Sequence, residues 1–384
     1  MARVKTWSAR ATRRVKWTTG VVPGLLDREP GEFPSLFGDL RLSRRRFVVI
    51  DEQVWDFYGT RIVGLLGRYG IEHNEPLILP GGEGAKTRES VDRILSEMQR
   101  FGVPRFGNTV VGWGGGVLHD TLGVAASEWR RGVEFTFFAT TLVAAIDTMF
   151  ALKCAISGLW KNRSGSYHPA SRSWTDPQFF ATLSDEDIRE GMAEIIKWAV
   201  GGDARLFRLI AEHGARVIGE KFQGEDAATA AILNRTIRGM LRELAGNPYE
   251  ASPRRRSYIG HGISPGFEPA ARHGEAVTLD ILLTALIAQR RGLISERQTH
   301  GIVHVIRSTG LPVWHPVLDD TDRMMEALKD TAQHRGGKQL IPAPVGRWGS
   351  LVTLPIGTRV AYLELSRAEI ERARDDLRDL AAVA

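Results

Sequence analysis

Cysteine and long apolar stretches are both scarce in this sequence. Cys154 is the one cysteine in 384 residues, so no disulfide can form within the chain and a reducing compartment is favoured. No apolar run approaches the length of about 18 residues that a membrane-spanning helix needs. The N-terminal residues lack the basic, apolar and small-residue order of a secretory signal. We therefore expect a cytoplasmic protein that has no membrane partner.

The rest of the composition is that of an ordinary globular protein, with 43% hydrophobic and 25% charged residues. The length is sufficient for two domains with well-filled cores. The net charge is +6, but the basic residues are spread along the chain instead of forming one stripe. This distribution argues against a nucleic-acid partner and suits an enzyme that attracts a phosphorylated anion.

Strands, glycine-rich turns and helices alternate in the first half of the sequence. Short apolar runs predict strands at residues 46–51, 76–79, 109–113 and 134–139. A basic extension over residues 1–19 precedes them, and residues 21–26 are expected to open the fold. After about residue 182 the spacing of apolar residues is mostly helical. The sequence therefore predicts an α/β domain over residues 20–182 and an all-α domain over residues 183–384.

One segment of the helical half reads Gly-Met-Ala-Glu-Ile-Ile-Lys and places Glu194 and Lys197 on one face of a helix. An ordinary surface ion pair is the alternative interpretation. His261, in Ile-Gly-His-Gly, and His273, in Arg-His-Gly-Glu, complete a set of one carboxylate and two imidazoles. Such a set predicts a metal site with positions left open for water or substrate.

Two glycine-rich turns each stand between a predicted strand and a predicted helix. Gly114–Gly116 would let the backbone close on a pyrophosphate, whose charge the helix N–H groups would meet. A tight turn without a ligand is the alternative. The earlier turn contributes Glu83 and Lys86 as candidates for ribose and phosphate contacts, and Asp51 at a strand end is another ribose candidate. Asp120 is either part of this site or a simple N-terminal helix charge.

Several polar side chains after the third predicted strand could meet a phosphate group. These candidates are Arg131, Lys153, Lys161 and Asn162. Taken singly, each is more often a solvated side chain, and the group as a whole is more informative. Asp147 follows an apolar run, where a carboxylate is costly unless it is paired or hydrogen-bonded.

The motifs occur in the order found in sugar phosphate cyclases, the family that includes dehydroquinate synthase. The chain resembles that family in Gly-Gly-Gly-Val-x-x-Asp, in Thr-Thr-Leu followed by Asp and Lys, in Lys-Asn, and in the metal-site segments above. Within the family it is similar to the branch that cyclises seven-carbon sugar phosphates. The segments that carry this second likeness are residues 161–169, 240–244, 261–265 and 334–342.

The resemblance implies a homodimeric cyclase of a ketose phosphate such as sedoheptulose 7-phosphate, which depends on NAD and a metal and releases phosphate. Zn²⁺ (or Co²⁺) would be held by Glu194, His261 and His273. The residues implied for NAD are Asp51, Glu83, Lys86, Gly115, Gly116, Val117, Asp120, Thr140, Thr141, Lys161 and Thr182. Those implied for the substrate are Lys153, Lys197, Asp147, Lys161, Asn162, Arg254 and Arg131, the last reaching across the dimer interface.

The chain departs from the family pattern at three places around the substrate. Residues 148–152 replace small residues, Ser157 replaces an Asn, and Tyr258 replaces a short acid or amide. The exact substrate is therefore open at this point. Alternatives are another cyclase of the family, among them 2-epi-valiolone, 2-deoxy-scyllo-inosose and dehydroquinate synthases. A metal-dependent polyol or glycerol-phosphate dehydrogenase and an inactive binding paralogue are also alternatives.

Overall fold

The computed structural model describes residues 6–11, 15–107, 109–158, 162–251, 255–268, 270–334, 340–346 and 362–382. Two predicted substrate residues, Lys161 and Arg254, lie outside these ranges, as does most of the 334–342 segment. None of the described helices is both long and apolar enough to cross a membrane.

A parallel sheet of seven strands organises the first half of the chain. The strands of this half are β1 (Thr18–Val21), β2 (Arg45–Asp51), β3 (Glu72–His73), β4 (Leu77–Leu79), β5 (Val110–Gly114), β6 (Phe135–Ala139), β7 (Lys153–Ile156), β8 (Ser164–Tyr167) and β9 (Arg172–Thr175). The sheet order is β1-β9-β6-β5-β2-β3, with β4 also beside β2, while β7 and β8 form a separate antiparallel hairpin. The predicted α/β architecture is confirmed.

The direction of the chain across the sheet reverses between β2 and β5. From β2 the chain moves outward to β4, and it then returns to β5 on the other side of β2 before continuing to β6. In open parallel sheets, ligands bind in the crevice beyond the carboxyl ends of the strands at such a reversal. Here that crevice lies next to Asp51 and Gly114, the last residues of β2 and β5.

The central strands are buried on both faces, which explains their unbroken apolar runs. Every residue of β5 and β6 is buried, and the ring of Trp113 stacks on Phe138 with centroids 3.7 Å apart. Gly112 is needed for close packing, because a Cβ there would lie 2.4 Å from Cδ2 of Leu122. This contact seats the helix that follows β5 directly on the sheet.

The helices of the first half are α1 (Glu52–Arg68), α2 (Arg88–Phe101), α3 (Gly116–Glu128) and α4 (Leu142–Ile146). The second half contains α5 (Asp185–Gly202), α6 (Ala204–Gly219), α7 (Ala227–Gly246), α8 (His273–Arg290), α9 (Glu296–Ser308), α10 (Thr321–His334) and α11 (Arg367–Ala382). Ser184 caps α5 by accepting a hydrogen bond from the Asp187 N–H at 3.1 Å. Gly191 lets α5 approach α4, since a Cβ there would lie 2.4 Å from Cγ of Leu142.

Three local features differ from the expectations. The sheet opens with β1, slightly upstream of residues 21–26. The β7–β8 hairpin is made of strands of four residues, too short for their alternation to stand out. The mostly helical half also contains an antiparallel ribbon of β10 (Leu340–Pro342) and β11 (Tyr362–Glu364). The domain boundaries at residues 20 and 183 stay predictions.

Candidate active site

A cavity of about 1170 Å³ opens at the carboxyl edge of the sheet and extends to the helical half. Most of the side chains predicted to hold a dinucleotide line it. They are Asp51, Glu83, Gly115, Gly116, Val117, Thr140, Thr141 and Thr182. His273 and Glu268 line the cavity from the helical half. The cavity therefore brings the glycine-rich edge of the sheet to the predicted metal site.

The turn before α3 presents bare backbone to this cavity. Gly115 precedes the helix with no side-chain cap, so the first N–H groups of α3 are available to an anionic ligand. A Cβ at Gly115 would lie 3.0 Å from Cγ2 of Thr141, which leaves no room for a larger residue. Thr140 Oγ1 is buried and has no hydrogen-bond partner among the described residues. This edge thus offers unpaired polar groups where a pyrophosphate is expected.

Asp51 lies at the end of β2, and only one of its two carboxylate oxygens forms hydrogen bonds with residues that the structure describes. Its Oδ1 accepts hydrogen bonds from the N–H groups of Gln53 at 3.0 Å and Val54 at 3.4 Å, which caps α1. Burial raises the pKa of Asp51 despite these bonds. A Cβ at Gly81 would lie 3.0 Å from Oδ2, so the glycine-rich turn passes close to this oxygen. Oδ2 is the atom left to meet a ribose hydroxyl.

Lys86 and Asp120 are not among the residues that line the cavity. Lys86 Nζ lies 2.5 Å from Asp120 Oδ2 and donates a hydrogen bond to Asn162 Oδ1 at 2.7 Å. These contacts tie the first glycine-rich turn to α3 and to the loop between β7 and β8. The two residues therefore stabilise the crevice, and their direct contact with a cofactor stays a prediction.

The three predicted metal ligands come together from separate parts of the helical half. Glu194 lies on α5, His261 follows a short turn, and His273 is the first residue of α8. Their candidate ligand atoms all lie within 4.8 Å of one another. Glu194 Oε1 is 3.3 Å from His273 Nε2 and 3.6 Å from His261 Nε2. The structure thus assembles the donor set that the sequence predicted.

Both imidazoles are oriented by acceptors on their far sides. His273 Nδ1 lies 2.9 Å from Glu268 Oε1, and His261 Nδ1 lies 3.0 Å from the carbonyl oxygen of Gly260. Each ring therefore directs Nε2 toward Glu194, as metal-bound histidines usually do. Glu268 was not foreseen from the sequence. The one available signal is an acid five residues before a candidate ligand, which is too common to be informative.

The electrostatics of this set exclude an ordinary surface ion pair, because Glu194 and Lys197 are each only 2% exposed. Burial opposes charge on Glu194, but Lys197 and the two imidazoles hold its pKa well below the usual value. Burial and Lys197 lower the pKa of His261 well below its usual value. Burial would also lower the pKa of His273, but Glu194 and Glu268 raise it to about 10. The carboxylates of Glu194 and Glu268 thus favour a positive charge between the two imidazoles.

A second group of possible ligand atoms, on His119, Asp120 and Cys154, also lies within 4.8 Å. The carboxylate of Asp120 is already paired with Lys86. Burial raises the pKa of the Cys154 thiol well above its usual value, which disfavours the thiolate that a metal requires. The set around Glu194 is therefore the better cation site.

Beside the candidate metal site, a charged cluster forms around Glu250. Its carboxylate lies 3.1 Å from Lys153 Nζ, accepts a hydrogen bond from Arg255 at 2.9 Å, and accepts another from the Tyr258 hydroxyl at 3.3 Å. The Arg255 guanidinium also covers the Tyr258 ring at 4.0 Å. Glu250 was not foreseen from the sequence. Glu250 has a left-handed φ of 52°, and the sequence around it contains no pattern that predicts this turn.

Asp147 links this cluster to the candidate metal site. Burial raises the pKa of Asp147, although Lys197 and Lys153 both act in the opposite direction. Lys153 is 54% exposed, so its ammonium can exchange Glu250 for another anion. The arrangement can therefore hold an anionic group close to the candidate metal site.

Arg131 lies away from the cavity in its own chain. It follows the C-terminal end of α3, about 20 Å along the helix axis from Gly116. Its φ of 66° is left-handed. The predicted contact between Arg131 and a substrate across a dimer interface stays a prediction.

Family comparisons match the part of the chain that carries this site. Residues 76–190 match the family described as 3-dehydroquinate synthase N-terminal, and residues 191–333 match 3-dehydroquinate synthase C-terminal. A 2-epi-5-epi-valiolone synthase of Streptomyces hygroscopicus subsp. jinggangensis is 37% identical over 376 residues, which are 96% of this chain and 88% of that protein.

Two solved structures share the fold. ValA, a 2-epi-5-epi-valiolone synthase from Streptomyces hygroscopicus subsp. jinggangensis with NAD⁺ and Zn²⁺ bound, aligns with a TM-score of 0.88 and 36% identity. The alignment covers 97% of this chain and all 100% of ValA. A 2-deoxy-scyllo-inosose synthase with carbaglucose-6-phosphate, NAD⁺ and Co²⁺ aligns with a TM-score of 0.71 at 17% identity, over 93% of this chain and 96% of that one.

Proposed function

The chain belongs to the 3-dehydroquinate synthase family, and from this premise we propose that it cyclises sedoheptulose 7-phosphate to a cyclitol of the 2-epi-5-epi-valiolone type. The observation that supports this most is that one cavity joins a dinucleotide-type crevice to His273, which lies within ligand distance of Glu194 and His261. The relatives with this printed activity cover nearly the whole chain. We further propose that the product serves secondary metabolism.

The residues present fit both cofactors that ValA binds. The bare N-terminus of α3, the tight space at Gly115 and the unpaired Thr140 hydroxyl suit the pyrophosphate and ribose of NAD. Glu194, His261 and His273 are a donor set that suits Zn²⁺, or Co²⁺, with open positions. When bound, the two groups supply reversible hydride transfer and polarisation of neighbouring substrate oxygens.

The side chains around Glu250 would hold the phosphate end of the substrate. Lys153 exchanges the Glu250 carboxylate for the phosphate on C7, and Lys197 meets the oxygens beside it. These ammonium groups stabilise charge on the phosphate as the C7–O bond breaks, and the ring closes between C7 and C2 in a later step. The departing phosphate can itself accept the C6 proton, so the chain needs no strong base.

Further side chains complete the proposed substrate site. Asn162, Lys161 and Arg254 would contact the sugar or its phosphate, and Asp147 would position Lys197 through its charge. We propose a cytoplasmic homodimer in which Arg131 reaches the site of the other subunit. Tyr258 presents a phenol where relatives carry a short acid or amide, and Glu250, which accepts its hydrogen bond, supplies a carboxylate there.

The proposal is tested by adding the purified chain, with NAD⁺ and Zn²⁺, to a panel of six- and seven-carbon sugar phosphates and measuring released phosphate. We expect sedoheptulose 7-phosphate to react fastest. The dehydroquinate precursor and glucose 6-phosphate are the informative controls. Faster release from either would place the chain in another branch, and release from none would contradict the cyclase activity.

The Gly115→Val chain should lose NAD binding and keep its fold. The added side chain would meet Thr141 at 3.0 Å and block backbone approach to the pyrophosphate, so we expect affinity to fall at least about 100-fold. Calorimetric titration with NAD⁺ measures this. Gly31→Val is the control, because a Cβ there meets nothing within 4 Å. Equal NAD⁺ affinity in both variants would refute the assigned crevice.

Glu268→Gln should weaken the metal site without removing a ligand. The neutral amide lacks the negative charge that orients the His273 ring. Loss of such an orienting carboxylate typically costs about 10–100-fold in metal affinity. Competition with a chromogenic chelator gives the Zn²⁺ affinity. Glu296→Gln, at an exposed position on α9, is the matched control. Unchanged affinity in Glu268→Gln would show that Glu268 does not orient a ligand.

A further inference from the structure

A second cavity, of about 520 Å³, lies between α5 and α7 and shares no lining residue with the first. Four arginines line it, three on α7 and one just before the segment that carries His261. They are Arg235, Arg238, Arg242 and Arg256. Nothing in the proposed reaction uses these residues.

The cavity has an excess of positive charge. Two carboxylates, Asp203 and Glu243, oppose the four guanidinium groups. Asp203 is occupied by Arg235, through hydrogen bonds of 2.9 and 2.8 Å, and it also caps α6. Glu243 accepts a hydrogen bond from the backbone N–H of Arg256 at 2.5 Å. The positive groups thus outnumber the negative ones by two.

Three of the guanidinium groups have no partner among the described residues. Within the described part of the chain, no hydrogen bond or ion pair engages the side chains of Arg238, Arg242 and Arg256. Arg238 and Arg242 stand four residues apart on α7, where like charges destabilise a helix. A bound anion would remove this repulsion, and guanidinium groups match phosphate oxygens in shape and charge.

A buried donor on the cavity wall points to the same kind of ligand. Trp198 is only 6% exposed, and its Nε1 is buried with no hydrogen-bond partner among the described residues. The indole lies between two cavity glycines. A Cβ at Gly239 would be 2.1 Å from Nε1, and a Cβ at Gly202 would be 2.8 Å from Cζ2. A buried N–H without an acceptor is costly, and a ligand oxygen would satisfy it.

We propose that this cavity binds a small phosphorylated anion at a site separate from the active site. The volume suits a sugar phosphate or a nucleotide-sized molecule, and the arginines select the phosphate groups. Trp198 directly follows Lys197 on α5, and Arg256 lies five residues before His261. Occupancy would therefore restrain the two segments that carry Glu194 and His261. The proposal does not depend on which sugar phosphate the active site uses.

Calorimetric titration of the full chain tests this site. Saturating NAD⁺ is present to fill the crevice at the edge of the sheet, and the probes are inorganic pyrophosphate, orthophosphate and ribose 5-phosphate. We expect pyrophosphate to bind more tightly than orthophosphate, and Arg238→Gln with Arg242→Gln to weaken it at least about tenfold. Arg208→Gln, on the exposed face of α6, is the control, which should leave this binding unchanged. Tighter binding of ribose 5-phosphate than of orthophosphate would identify an organic ligand, and the reverse an inorganic one.

Trp198 supplies a second readout. Pyrophosphate should change the tryptophan fluorescence of the wild-type chain, and Trp198→Phe should lose most of that change while it retains binding within a few-fold. Arg238 and Arg242 are exposed, so their substitution leaves the fold intact, which thermal melting checks. Absence of pyrophosphate binding at roughly millimolar concentration, or binding that persists unchanged in the double variant, would overturn the proposal.

Discussion

Replacing His261 with alanine is expected to remove the metal and, with it, phosphate release. Glu194 and His273 would remain as two ligands, which is too few for tight Zn²⁺ binding. We expect metal content to fall from about one ion per chain to less than about a tenth, and phosphate release to fall at least about 1,000-fold. Elemental analysis of dialysed protein and a phosphate assay measure the two effects.

His304→Ala is the matched control for this variant, because His304 is an exposed histidine on α9. It should keep both the metal and the activity. A His261→Ala chain that carries a full complement of metal and releases phosphate at the wild-type rate would contradict the assigned ligand set.

Replacing Lys153 or Lys197 with methionine is expected to slow phosphate release and leave NAD⁺ binding nearly unchanged. Each charge-assisted contact is worth roughly 1.5–3 kcal/mol, so each change should cost about ten- to a hundred-fold or more. The effect should be larger at Lys197, which is buried beside Glu194, than at Lys153, which is half exposed. Steady-state phosphate release and NAD⁺ calorimetry separate the two properties.

Stability must be measured alongside activity for Lys197→Met. The substitution leaves the Glu194 carboxylate without its ammonium partner, and breaking a buried pair costs roughly 3–5 kcal/mol. Lys153→Met carries no such risk, and Lys329→Met on the exposed face of α10 is the control. Wild-type rates in a folded Lys153→Met chain would remove that lysine from the phosphate site.

The parts of this site that the sequence predicted share one property, a local pattern with a chemical reason. Gly114–Gly116 stands between strand and helix, and Glu194 with Lys197 lies on one face of α5. Such patterns can be recognised in the sequence because backbone geometry fixes the relative positions of residues that are only a few positions apart. His261 and His273 were predicted as metal ligands from their residue type and their motifs, and the fold brings them close to Glu194.

The residues that escaped prediction depend on contacts between distant segments. Glu250 reaches Lys153 only because the chain turns through a left-handed residue after α7. The sequence also did not show that Lys86 and Asp120 pair with each other, and their predicted contact with a cofactor stays a prediction. Arg131 lies beyond the C-terminal end of α3, and its predicted contact with the substrate of a second subunit stays a prediction. Tertiary partners of charged side chains are set by the whole fold and leave little local signal.

The most direct test of the account follows phosphate release and nicotinamide absorbance in one reaction of the wild-type chain with sedoheptulose 7-phosphate, Zn²⁺ and NAD⁺ in large excess over enzyme. The account predicts that phosphate accumulates over many turnovers while no net NADH appears, because the oxidation is reversed within each cycle. NADH that accumulates in step with substrate consumption, without phosphate release, would contradict it and identify a dehydrogenase.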